Sequence, residues 1–532
     1  VSQQHAGGSI ARSTALMTVA TLGSRATGLI RTWVMAFALG NTFVTSAYQV
    51  ANNMPNVIFE LVAGGLLAAA FLPTYLSQIE EHGARAGNRF ASNLLNLFIV
   101  VLGLLSVLAA VFAPQVIATQ TFTVGDSAEV TELAVQFFRI FAVQVLFYGV
   151  SGVITGILNA NRVYFITAIA PALNNIVVIA AFLAYIPLSQ TDAQLAIAVL
   201  AIGTSIGVAV QAVIQIPALA KVGFRWSPRL SLADPALREA VRIAVPTLVY
   251  VVGSMVAFSC RNAFSLQAGD EGPSTLIYAW TWFQLPYGVL IVSFARPLFT
   301  EMSAAAARFD WVAFRRFTRQ GIAITVVMAV PFMGLMAALA PSIISLFRAG
   351  AFSADDVTYV SSILALWALS LPLYSVTMLL YNVYASLRRF WRFALVCTAL
   401  VAVQCGLYAV LCSPEVLGLY GVPVADFVYY GTTCVMLTFM LENIIGSFGI
   451  GRIASSAARI TVASALGTAA AWGLSLALPD ATSIGMGMLR LVICGSLGLA
   501  ISLALAFILR IPEMSFVKPL FAKVGRRLKR AR

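Results

Sequence analysis

The chain has 532 residues, 60% of them hydrophobic and only 10% charged, with a formal net charge of +13. Its mean hydropathy is +0.91. Soluble globular chains carry about 25% charged residues, so this composition excludes a soluble enzyme and points to an all-α, polytopic membrane protein. The positive charge does not indicate nucleic acid. Basic residues cluster between apolar stretches and in the tail KVGRRLKRAR, the pattern of cytoplasmic membrane loops and anionic-lipid contacts.

In chain order, the apolar pattern predicts about 14 transmembrane helices. They lie near 13–38, 44–78, 90–114, 131–158, 164–186, 193–219, 239–264, 274–300, 317–346, 357–385, 391–412, 420–446, 456–478 and 485–510. The gaps are mostly too short for a catalytic domain, which needs about 50 residues. Residues 1–9, VSQQHAGGS, lack the basic stretch of a cleavable signal peptide, and none is expected.

The gaps alternate in charge. One set holds Arg85 and Arg89, Arg162, Lys221 with Arg225 and Arg229, Arg308 with Arg315 and Arg316, Arg388 with Arg389 and Arg392, Arg452, and the basic tail. The other holds Asp126 and Glu129, Asp192, Asp270 and Glu271, Asp355 and Asp356, Glu415, and Asp480, with Arg348 its one basic residue. The positive-inside rule makes the first set cytoplasmic, which places both termini in the cytoplasm.

The chain also repeats itself. FAVQVLFYGVSGVITGILNANRVYF (141–165) aligns without a gap to WALSLPLYSVTMLLYNVYASLRRFW (367–391), matching Tyr148 with Tyr374 and Arg162 with Arg388. NNMPNVIF resembles FQLPYGVL, matching Pro55 with Pro286. The expected organisation is two six-helix lobes, 10–222 and 235–447, related as a parallel repeat. Two C-terminal helices (455–511) and a basic cytoplasmic tail (512–532) follow.

The first two spans carry polar stripes. At 100° per residue, Arg25, Thr18, Thr14, Thr32, Thr21, Gly28, Ser24 and Arg31 share an arc of about 140°. The two arginines are about 9 Å apart along the axis, and Gly28 between them leaves room for a bulky group. In the second span Ser46, Gln49, Asn53, Asn56, Glu60 and Gly64 fall within about 80°, beside a kink expected at Pro55. A stripe on a membrane helix faces a partner or water. Either Arg25 pairs with Glu60 and locks two helices, or the stripes line a cationic cavity. One acid cannot neutralise two arginines, which favours the cavity and an anionic ligand such as phosphate.

Arg261 and Arg296 are further cavity candidates, with snorkelling anchors as the alternative. Arg139, Asp426 and Glu442 are weaker candidates. The six cysteines (260, 397, 405, 412, 434, 494) are scattered singly, and His5 and His82 lie far apart. Neither a disulfide framework nor a metal site is expected. No nucleotide-binding, zinc-protease or hydrolase motif is present, so no enzyme activity and no cofactor are expected. Coupling to membrane potential or a monovalent cation stays open.

SRATGLIRT resembles the first-helix motif S-R-x-x-G-x-x-R-D of the MurJ/MviN family, lipid II flippases of the multidrug/oligosaccharidyl-lipid/polysaccharide (MOP) exporter superfamily. NNMPNVIFELVAGGLLAAAFLP and YAWTWFQLPYGVL resemble the second and eighth helices of its actinobacterial branch. The resemblance implies two six-helix lobes around a cationic cavity, with the last two helices forming a lipid-tail groove. It implies that Arg25 and Arg31 serve substrate binding. The implied act is moving lipid II, an undecaprenyl-pyrophosphate-linked precursor, from the inner to the outer leaflet of the bacterial cytoplasmic membrane for peptidoglycan synthesis. Lipid II and membrane lipids are the implied partners, together with proteins of peptidoglycan synthesis and division.

The chain makes three departures from the family pattern: Thr32 replaces an acid, Phe59 and Glu60 replace paired arginines, and Thr281 stands at the eighth-helix arginine. Arg261 and Arg296 are the candidates to supply that missing charge. Alternative readings keep the fold and change the role: a flippase for another polyprenyl-linked saccharide, an ion-coupled drug exporter, or a non-transporting cell-wall scaffold.

The charge alternation makes a topological prediction. In a variant without native cysteines, Ala481→Cys is expected to react with an impermeant maleimide added outside the cell. Ala86→Cys is expected to react only after the membrane is permeabilised. The reverse result would invert the assigned orientation.

Overall fold

A computed structural model of the chain describes residues 23–64, 67, 71–124, 128–228, 230–231 and 235–516. All regular structure among these residues is helical. The first half contains α1 (23–39), α2 (Phe43–Phe59), α3 (Leu72–His82), α4 (Ala84–Val111), α5 (Ala113–Thr121), α6 (Glu129–Phe141), α7 (Gln144–Ala160), α8 (Phe165–Ser189), α9 (Ala193–Val213), α10 (Ile216–Lys221) and α11 (Pro235–Ala268). The second contains α12 (Gly272–Pro286), α13 (Val292–Ala307), α14 (Trp311–Ala338), α15 (Ala340–Ile344), α16 (Ala354–Ala368), α17 (Leu371–Ser386), α18 (Phe390–Leu411), α19 (Gly421–Ile445), α20 (Ile450–Ala477) and α21 (Ile484–Ile508).

Hydrocarbon offers the backbone no hydrogen-bond partner, so apolar stretches this long must become helices. Side chains start several of them. Asp192 accepts from Leu195 N at 3.0 Å and Asp310 from Ala313 N at 2.9 Å. Ser353 and Asp356 form a reciprocal capping box at α16.

Among the described residues, nine helices are long and apolar enough to cross a membrane, or 11 if each of two bent pairs is one span. The other three of the fourteen expected spans are interrupted. The first begins in residues outside the described set. The second and eighth each contain a π-helical segment, Glu60–Gly64 after α2 and Tyr287–Ile291 after α12.

These interruptions recur in register. The π segments begin 227 residues apart, at Glu60 and Tyr287. The bend between α6 and α7 (45°) recurs between α16 and α17 (54°), again 227 residues on. Phe112, which separates α4 from α5, corresponds at the same offset to Leu339, which separates α14 from α15. The backbone register corrects the sequence matches: Phe141 and Ala368 end the equivalent helices α6 and α16, one residue off the gapless repeat, and α17, one residue shorter than α7, restores the offset of 226 at Arg162 and Arg388. Pro286 stands opposite Phe59, four residues from Pro55, because similar side chains recur one helical turn apart. Each proline removes one backbone donor, which favours the wider helical geometry that follows it.

Four helices end in the same Schellman cap with a non-glycine residue in the left-handed region: Arg162 (φ 60°), Phe309 (φ 57°), Arg388 (φ 53°) and Arg510 (φ 51°). Arg162 N bonds Asn159 O at 3.0 Å and Val163 N bonds Leu158 O at 2.9 Å. Arg388 and Arg389 repeat this on Ala385 and Tyr384 at 3.0 and 3.1 Å. A side chain in this conformation costs about 1–2 kcal/mol, which is why glycine usually occupies the position.

The packing divides into two compact units between Ser274 and Thr275. In the first, α2 lies against α6 and α7, α8 pairs with α9, and α11 packs on α5. The expected lobe boundary, near residue 235, therefore lies one helix earlier than this division. Polar side chains join helices inside the unit. Gln215 donates to Ser151 Oγ at 2.8 Å, and Gln144 to Ser205 Oγ at 3.1 Å. In the second unit α14 packs against α16, α17, α20 and α21. Gly498 lets α20 and α21 approach closely: a Cβ there would lie 2.8 Å from Ala471 Cβ.

Asp426 on α19 is buried, 1% exposed, in the second unit. Trp367 Nε1 donates to it at 3.0 Å and Gln404 Nε2 at 2.8 Å, and the Tyr408 hydroxyl also donates to it. The carboxylate thus ties α16, α18 and α19 together. Asp426→Ala orphans three buried donors and is expected to cost about 3 kcal/mol or more, seen as a lower apparent Tm. Asp426→Asn keeps one acceptor and is expected to lose less.

Candidate functional site

The described part of α1 begins at residue 23, so Thr14, Thr18 and Thr21 of the expected stripe lie outside the described residues. Arg25 is exposed and Arg31 half-buried. The Arg31 guanidinium lies within electrostatic reach of the Tyr48 and Tyr148 side chains. Tyr48 is held by a 3.2 Å hydrogen bond with Thr204. Thr32, where the resemblance leads one to expect an acid, is buried and donates to Gly28 O at 3.2 Å.

The space expected beside Gly28 for a bulky group is occupied. Asn175 of α8 donates to Thr27 Oγ1 at 3.1 Å and to Ser24 O at 3.5 Å. A Cβ on Gly28 would meet Asn175 Nδ2 at 3.6 Å. This edge of the stripe is therefore a helix–helix contact. A helical wheel identifies a polar face without identifying what faces it.

On α2 the stripe divides into two halves. Ser46 is buried and accepts from Ser274 N at 3.2 Å. Gln49 is buried and donates to Met35 Sδ at 3.0 Å. Both are occupied in packing, so Gln49, an expected cavity residue, joins α2 to α1. Counted at about 1.5 Å per residue from the Gln49–Met35 bond, along helices joined by the short turn at 40–42, Arg31 falls near the level of Asn53. Asn53 is half-buried, while Asn56 and Glu60 are exposed. Asn56 Nδ2 donates to Glu60 Oε1 at 3.2 Å. Among the described residues neither Arg25 nor Arg31 is ion-paired, and Glu60 is not paired with Arg25.

Arg261 lies on α11 of the same unit, its guanidinium 5.1 Å from the centre of the Phe258 ring. Neighbouring Asn262 donates to Gln120 of α5 at 3.0 Å. Ser259 and Asn262 mark the face of α11 turned to α5, and helical spacing turns Arg261 away from it. Arg296 belongs to α13 in the second unit, and its side chain lies outside the described residues. Thr281 donates to Ile277 O at 2.8 Å within α12.

Three polar features are absent from the sequence-based site. Asn175 was legible as an Asn pair inside the apolar run of α8. Ser92, Asn93 and Asn96 of α4 bind the segment leading to α11: Asn93 Nδ2 donates to Ser231 O at 2.8 Å and Asn96 Nδ2 to Ser227 O at 2.7 Å. Arg490 of α21, 8% exposed, donates to Ser475 O and lies 3.7 Å from Asp480. It stabilises the C-terminal end of α20. In the second unit an apolar recess of about 370 Å³ lies between α14 and α20, lined by Val330, Met333, Ala338, Ala465 and Trp472.

The sequence profile of the family Lipid II flippase MurJ matches residues 35–509. The chain belongs to that family. A family relative from Rhizobium meliloti (strain 1021), "Probable lipid II flippase MurJ", is 30% identical over 363 residues, 66% of each chain. The match thus spans just under two thirds of that relative's length. One of the same name from Bdellovibrio bacteriovorus is 27% identical over 516 residues, 96% of each chain. The solved structure "Lipid II flippase MurJ, inward closed conformation" shares the fold with a TM-score of 0.75. It is 21% identical and is matched over 95% of this chain and 100% of its own. Arg25 and Arg31 lie before residue 35, where the match to the family profile begins.

The Gly28 contact is testable. Gly28→Ala places a methyl at ordinary contact distance and is expected to leave the apparent Tm nearly unchanged. Gly28→Leu must displace Asn175 and is expected to lower it by several degrees. An unchanged Tm in the leucine variant would mean that α8 does not pack there.

Proposed function

We propose that this protein moves lipid II from the inner to the outer leaflet of the bacterial cytoplasmic membrane by alternating access. Family membership supports the cargo. The observation that carries the reading is the pair of arginines on α1, neither ion-paired among the described residues. Helical spacing from the Gln49–Met35 bond puts Arg31 near the level of Asn53, in the open half of the α2 stripe. A pyrophosphate supplies acidic oxygens that a guanidinium binds with two parallel hydrogen bonds. Asn53 and Asn56 add amide groups suited to sugar hydroxyls. Arg25, the exposed member, is the first contact, and Arg31, half-buried near Tyr48 and Tyr148, is the deeper one.

The prenyl chain stays in lipid, and the apolar recess between α14 and α20 is proposed to hold part of it. Both termini are assigned to the cytoplasm by the charge alternation. Membrane potential supplies about 2.3 kcal/mol per charge per 100 mV, enough to bias a transport step that moves net charge. Proteins of peptidoglycan synthesis and division are proposed as neighbours. A drug antiporter needs acids to trade for cations, and the stripe offers one, Glu60, already hydrogen-bonded to Asn56.

Flux of labelled lipid II in reconstituted vesicles tests the reading. The wild-type protein is expected to transport lipid II in preference to other polyprenyl lipids. Arg25→Ala with Arg31→Ala is expected to lose about 100-fold or more, given about 1.5–3 kcal/mol for each of the two charge-assisted contacts removed. Full flux in the double variant would overturn the arginine role. Absence of flux in the folded wild-type protein would leave the scaffold reading in its place.

A further inference from the structure

The sharpest local anomaly in the backbone lies outside the stripe. Seven glycines take positive φ among the described residues, as turns and caps ordinarily require. At Arg162, Phe309, Arg388 and Arg510 the same kind of conformation is imposed on a side chain. Each closes a Schellman cap whose hydrogen bonds are entirely backbone. Glycine would make the same bonds with less strain, so the side chain is not retained for the cap.

Three facts indicate what it is retained for. All four residues lie in segments of the basic set, the side assigned to the cytoplasm. Arg162 and Arg388 hold equivalent places in the internal repeat, so both copies carry the strained arginine. The neighbours are exposed apolar residues: Phe165 beside Arg162, Trp391 (45% exposed) beside Arg388, and Ile508 beside Arg510. Phe309 is itself 76% exposed. Cations set among exposed aromatic and aliphatic groups mark the headgroup level of a bilayer. None of the three arginines is ion-paired among the described residues. The pull of the helix end on a cation is weaker than the backbone cost. An anionic membrane surface adds a second attraction of comparable size.

We propose that Arg162, Arg388 and Arg510 are phosphate-binding anchors for anionic phospholipids of the cytoplasmic leaflet, each aimed outward by its left-handed cap, with Phe309 as the apolar counterpart. The left-handed residue projects its side chain away from the helix it terminates. The guanidinium thus reaches lipid phosphate while the backbone carbonyls stay bonded. This inference does not depend on which cargo is moved.

The test uses the full-length protein in a neutral detergent, with apparent Tm measured alone and after adding phosphatidylglycerol, phosphatidylcholine or inorganic phosphate. The wild type is expected to gain stability from phosphatidylglycerol and much less from the other two. Arg162→Gly with Arg388→Gly is expected to equal or exceed wild type without lipid, by about 1–3 °C. It is expected to lose at least half of the phosphatidylglycerol gain. Arg162→Lys with Arg388→Lys keeps the charge and is expected to keep most of that gain. Three results would each overturn the proposal: an undiminished gain in the glycine variant, a lower starting Tm in that variant, or an equal wild-type gain from phosphatidylcholine or phosphate.

Discussion

A peptide group in hydrocarbon has no water to bond, and the rest of the structure follows from that constraint. It dictates long helices and makes every interruption costly. Prolines 55 and 286 remove donors, and π segments follow within one or two turns of each. Helix ends raise the same difficulty, and arginines meet it repeatedly. Arg315 donates to Ile445 O at 3.0 Å at the end of α19, and Arg490 to Ser475 O near the end of α20. In a chain with few charges, these cations complete the backbone as well as decorate the loops.

The stripe shows how side-chain polarity is divided between packing and function. Its first half, Ser46 and Gln49, is buried and bonded to neighbouring segments. Its second half, Asn53, Asn56 and Glu60, stays open, and no described acid pairs with the arginines of α1. A helix pair built this way is fixed at one end and presents exposed polar groups at the other. That arrangement suits a ligand that brings its own charge and then leaves.

Much of the fold was legible in the sequence because hydropathy and charge are properties of whole segments. Spans three, five and nine could be read from apolar length alone, and the alternation of basic and acidic gaps ordered them. Individual contacts were less legible. Gly28 looked like open space because the wheel could not show Asn175 opposite it. Pairing of Arg25 with Glu60 was the alternative to a cavity in the sequence, and it is Asn56, one turn before Glu60, that reaches that carboxylate. Arg490 was hidden within an apolar run. The role of Asp426 is hidden from the sequence because its three donors come from two other helices, α16 and α18. The lobe boundary read from the repeat follows sequence descent, whereas the packing division follows contact, and α11 separates the two.

The offset of 227 residues has a meaning beyond symmetry. Phe112 and Leu339, or Glu60 and Tyr287, share little chemistry, yet the helix yields at both members of each pair. Duplication has preserved the places where the ladder of hydrogen bonds is relaxed while the letters around them drifted. Ancestry in this chain is written most durably in its joints.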